Sequence, residues 1–85
     1  MDKVIDELTK AIKPAMEEMD MSLVSIEWIE ESKNNYTLKV VLDKVNGIDL
    51  DTIVEATNII NPIVDEKDLI TEQYTLEVSS KERGN

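Results

Sequence analysis

The spacing of the apolar residues changes period three times along this chain, and that succession constrains the fold more than any other feature. Val4, Ile5, Leu8, Ile12, Ala15, Met16 and Met19 recur at intervals of three and four, which predicts one helical face over residues 3–19. From Met21 to Glu30 the period drops to two, with Val24, Ile26 and Trp28 on one side and Ser25 and Glu27 on the other. Tyr36, Leu38, Val40 and Leu42 then alternate with Thr37, Lys39, Val41 and Asp43, a second strand. Helical spacing returns at Ile53, Ala56, Ile60 and Ile63 or Val64, and Tyr74, Leu76 and Val78 alternate with Thr75, Glu77 and Ser79 in a third strand.

The resulting order is α-β-β-α-β. Three strands with one apolar face need cover, and two amphipathic helices supply it. The expected fold class is therefore α+β, a two-layer sandwich with both helices packed on one face of a three-stranded sheet. The first two strands should form an antiparallel hairpin. The second helix then acts as a crossover and makes the third strand parallel to whichever strand it joins, which the sequence does not specify.

Local signals refine the boundaries. Asp2 is placed to cap the first helix and Asp49 the second. Pro14 predicts a kink or restart in the first helix, and Pro62 an interruption in the second, with residues 65–68 as helix end and polar loop. Residues 31–35 predict a turn longer than the tight two-residue kind, with Asn34 and Asn35 able to take left-handed conformations. Residues 1–80 are expected to form a single domain, and the polar residues 81–85 a frayed tail.

Composition excludes several functions. With no histidine and no cysteine, the usual neutral-pH general base, the thiolate nucleophile and most transition-metal ligands are missing, so no catalysis and no cofactor are expected. The acidic runs at residues 49–51 and 65–68 lack the spaced ligands and central glycine of a calcium loop. Gly47 and Gly84 are the only glycines, so the layout is KH-like without a GXXG clamp, and it holds neither a P-loop nor a dinucleotide fingerprint. Nine basic against nineteen acidic residues give a net charge of −10, which disfavours direct nucleic-acid binding and favours basic partners. Trp28 is expected in the core. No segment reads as a signal peptide or membrane span, so the expected location is cytoplasmic.

A family resemblance runs through most of the chain. The passage from Met16 through Asp20 and Met21 to Trp28, the Leu42-Asp43-Lys44 stretch followed by Gly47-Ile48, and the acidic loop at residues 65–68 each resemble the N-terminal domain of the bacterial ribosome maturation factor RimP. So, most closely, does Tyr74-Thr75-Leu76-Glu77-Val78-Ser79-Ser80. The resemblance implies a non-catalytic module that binds the small ribosomal subunit (30S) during its assembly. Its implied partner is a basic small-subunit ribosomal protein or the assembling subunit. The chain departs from the family's pattern where Lys81-Glu82 replaces Pro-Gly, where Thr57-Asn58 replaces a Ser-Arg pair and where Leu69 replaces a proline. The family's second, β-barrel domain is expected to be absent. The alternative is a protein-interaction or self-associating domain with no ribosomal role, pairing through an exposed strand edge. Asp43, Lys44, Glu77, Ser79 and Ser80 are the expected partner contacts, because exposed strand ends and loops carry recognition.

Overall fold

The computed structural model describes residues 1–81. It contains α1 (Asp2–Glu17), β1 (Ser22–Ser32), β2 (Asn35–Asp43), α2 (Leu50–Lys67) and β3 (Tyr74–Ser80), the expected α-β-β-α-β order. The sheet runs β1-β2-β3, with β1 antiparallel and β3 parallel to β2, so the open question of the crossover resolves to the central strand. Helix α1 packs on β1, α2 on β3, and the helices touch each other.

The core lies between the layers. Leu38, Val40 and Leu42 of β2 are fully buried against Leu8, Ile12 and Met16 of α1 and Ala56, Ile60 and Val64 of α2, with Met21 and Ile26 closing the β1 side. Each of these side chains larger than Ala56 stabilises the fold by roughly 1.5–3 kcal/mol on burial. With no phenylalanine in the chain, the interior is aliphatic and thioether throughout.

Both prolines lie inside continuous helices rather than ending or restarting them. The reason is where the lost bonds fall. Pro14 and Lys10, whose carbonyl loses its partner, are exposed, as are Pro62 and Asn58. The missing bonds thus lie on the exposed side, and the buried stripes on the other side of each helix continue unbroken. Residues 65–67 accordingly belong to α2, and only Asp68, with φ 50°, turns out of it.

Helix α1 begins differently from expectation. Met1 occupies the cap position with no side-chain bond, and Asp2 is already helical, acting only as a first-turn carboxylate near the positive helix end. The helix closes on a Schellman pattern, with the Met21 amide donating to the Met16 carbonyl at 3.0 Å and the Asp20 amide to Glu17 at 3.0 Å. Asp20 takes the left-handed conformation, φ 60°, that this turn requires.

Helix α2 is capped as expected. Asp49 Oδ1 accepts from the Thr52 amide at 2.8 Å and from the Thr52 hydroxyl at 2.6 Å. Those bonds, the hydroxyl's first, hold the Asp49 carboxyl below its ordinary range. A depressed folded-state pKa contributes stability that is present above the unfolded value, about 3.9, and is lost as pH falls through the folded value. The first turn of α2 is thus expected to loosen under acid below about pH 4, read as faster exchange of the Thr52 amide, and Asp49→Ala should reproduce that faster exchange at neutral pH.

The hairpin corrects two further expectations. Its connection is the tight pair Lys33-Asn34, with only Asn34 at positive φ, while the register slips at Glu31. A second slip falls between Leu23 and Ser25. The extra residue reverses the alternation, so Leu23 turns toward the core and Val24, expected inside, is 44% exposed. Of the tail, Lys81 is described and exposed, and its amide donates to the Leu42 carbonyl at 2.6 Å. Residues 82–85 lie outside the described residues.

Candidate functional site

Alternate residues of each strand point away from the helices, and the registers order them into rows across the open sheet face. Glu27, Lys39 and Glu77 form one row, Ile29, Thr37 and Thr75 the next, and Ser25, Val41 and Ser79 lie on the other side. Side chains directly opposite each other in such rows stand with Cβ atoms about 5 Å apart. Lys39 of the central strand therefore sits between two carboxylates, an acid–base–acid stripe across the middle of the face.

The parallel pairing of β2 with β3 brings the expected contact residues to one end of the sheet. Asp43 and Lys44 close β2 beside Ser79 and Ser80 at the end of β3, and the Lys81–Leu42 bond fastens the two ends together. Asp43 Oδ1 accepts from the Lys44 amide at 2.9 Å, which fixes the carboxylate at the strand end. Asp43, Ser79 and Glu77 face the open side. Ser80, paired with the core residue Leu42, faces the helix side, and Glu77 lies two residues back in the middle row.

Sequence reasoning passed over Lys39, whose alternation on β2 was legible but whose two acidic neighbours depend on registers that were not. It also passed over the gathering of every aromatic residue at the opposite end of the sheet. Trp28 stacks on Tyr36 with ring centroids 4.9 Å apart, and Tyr74 meets Trp28 at 6.0 Å. Trp28 packs against the core but is only half-buried. Burial, and then the nearby Asp65 carboxylate, push the Tyr74 phenol above its ordinary pKa, so it stays neutral at physiological pH. Next to this cluster lies an open depression of about 440 Å³ lined by Asn34, Asn35, Glu72, Gln73, Tyr74 and Thr75. Its lining offers hydrogen-bond donors and acceptors but no nucleophile paired with a base.

Among the described residues, no three acidic side chains converge to hold a metal ion, and no buried side-chain polar atom lacks a hydrogen bond. No described helix is long and apolar enough to cross a membrane. The described ion pairs are exposed ones from Lys10 to Asp6 at 3.3 Å and Glu7 at 3.9 Å, a kind that stabilises little.

Fold and site together define an α+β domain with one face under helices and the other a mostly polar sheet surface, on which, among the described strand residues, the carboxylates of Glu27, Asp43 and Glu77 outnumber the one cation, Lys39. Comparison with known families carries this further, since the family model of the RimP N-terminal domain matches residues 11–81. The match spans the second half of α1 and everything from β1 to the end of β3. The chain belongs to the RimP N-terminal domain family.

Proposed function

We propose that this chain is a non-catalytic binding module in the maturation of the small ribosomal subunit (30S), acting in the cytoplasm, with residues 1–80 working as a single domain. The family match over residues 11–81 carries the reading. The net charge of −10 supports a basic small-subunit ribosomal protein, or the assembling subunit that displays it, as partner rather than bare RNA. The contact is assigned to the sheet end where Asp43, Lys44, Ser79 and Ser80 meet, extended by Glu77 on the open face. A charge-complementary contact at exposed groups weakens as salt screens it.

A pull-down from bacterial lysate tests the reading. The chain should recover small-subunit ribosomal proteins at low salt and progressively less at moderate salt. Glu77→Lys should lower that recovery by about two- to fivefold, the range of one exposed ion pair. Recovery of no small-subunit component, or only of the chain itself, would overturn the ribosomal reading. Undiminished recovery by Glu77→Lys would remove that residue from the contact.

A further inference from the structure

The two edges of the sheet are defended very differently. β1 is an edge with two register slips, and Glu27, Glu30 and Glu31 along it. Slips of this kind bend a strand and interrupt the regular row of backbone groups that another chain would need. β3 is the other edge, and it carries one charged residue, Glu77, and no register slip. Its pairing with β2 runs from Tyr74 to Ser80 without a shift, and the strand holds neither proline nor lysine.

The direction of its backbone groups follows from one bond. The Lys81 amide donates inward to the Leu42 carbonyl. Because N–H and C=O alternate sides along a strand, Thr75, Glu77 and Ser79 also point their backbone groups at β2. The backbone groups of Leu76, Val78 and Ser80 then point outward, where the strand order places no neighbour.

Side chains beside this edge state what would fit. On the helix side, Leu76 and Val78 are half-buried and adjoin the core with Ile63 and Ile70. On the open side, Glu77 stands between Thr75 and Ser79, and the charged residues from 72 to 80 are both acidic, Glu72 and Glu77. A strand added here would place alternate side chains against an apolar surface and an acidic one.

We propose that the outer edge of β3 is a strand-addition site for an extended segment of another protein in which apolar and basic residues alternate. Backbone hydrogen bonds to Leu76, Val78 and Ser80 supply the pairing, and the two sides of the edge supply the selectivity. A second copy of this chain is the wrong occupant. Pairing β3 to β3 would bring Glu77 of each copy to the same seam between two molecules of charge −10. The assignment goes beyond the ribosomal reading and stands apart from it, since it concerns the chemistry of the segment and not its source.

The experiment uses the purified chain and a synthetic eight-residue peptide of alternating lysine and valine, followed by amide hydrogen exchange and NMR titration. Binding should slow exchange at Leu76, Val78 and Ser80, while Glu77 and Ser79, already bonded to β2, change little. The same peptide with glutamate for lysine should not bind. Ser80→Pro removes an outward amide at an exposed position of an edge strand, where proline is tolerated, and should weaken binding by about two- to tenfold, the range of one net hydrogen bond. An unchanged spectrum of the variant outside the end of β3 confirms that it still folds. Absence of binding at low salt, protection that does not alternate along β3, shifts confined to another surface, or a self-associated dimer through β3 would each overturn the proposal.

Discussion

Leu38→Ala is expected to remove about 3–5 kcal/mol of folding stability, the upper part of the range for truncating a buried leucine. The site justifies the upper part. Leu38 has no exposed surface, occupies the central strand, and is flanked by Trp28 on β1 and Leu76 on β3 while the helices close over it. Neighbours on both sides are held by sheet registers, so the cavity cannot collapse by moving a single loop. For a domain of this size each kcal/mol shifts the melting temperature by roughly 4–8 °C, and small domains hold only about 5–15 kcal/mol in all. Thermal and urea unfolding followed by circular dichroism should therefore show a fall of at least about 12 °C. A loss under about 1 kcal/mol would mean that the two layers do not close over β2 as described.

The opposite sign is expected at the prolines. Pro14→Ala and Pro62→Ala each restore a backbone donor in mid-helix, to the carbonyls of Lys10 and Asn58, and relieve the clash of the ring with the preceding turn. Interior proline is about 3 kcal/mol less favourable than alanine in a helix. Part of the gain is offset because proline also restricts the unfolded chain. The expected net gain is about 1–2 kcal/mol per site, additive in the double variant because the sites lie on separate helices. Urea midpoints that rise with an unchanged slope would bear this out, whereas a fall would show that the rings themselves are needed where they stand.

Those prolines also mark where reading residues in order falls short. Periodicity located all five elements, because the apolar stripes of α1, β2 and α2 supply the buried core and the stripe of β3, half-buried, packs against it. It misjudged the interruption at Pro62 and the restart allowed at Pro14, since a helix held by a packed face tolerates a missing bond on its wet side. Val24 was misplaced because a single extra residue near the start of β1 puts Leu23 rather than Val24 in phase with the core-facing Ile26 and Trp28, and nothing in Ser22-Leu23-Val24-Ser25 announces it. At the candidate site, Asp43, Lys44, Ser79 and Ser80 were legible as strand ends, but their meeting depends on β3 choosing β2. The Glu27–Lys39–Glu77 row and the Trp28–Tyr36–Tyr74 cluster depend on the same choice. Long-range register was the missing quantity in each case.

That choice of neighbour also sets the order in which the chain can fold. The β1–β2 ladder closes through the two residues Lys33 and Asn34, a search of the microsecond class. The β2–β3 ladder pairs Tyr36 with Tyr74, a separation of 74 − 36 = 38 positions, and must wait for α2 to form between them. Non-local pairing of this kind is slow because the loop entropy is lost before the contacts repay it. On a translating ribosome the delay is longer still. Leu38, Val40 and Leu42 emerge early, while the strand that completes their row emerges some forty residues later. Throughout that interval β2 is a free edge, and a nascent chain in this state offers its central strand for pairing that the finished fold withholds.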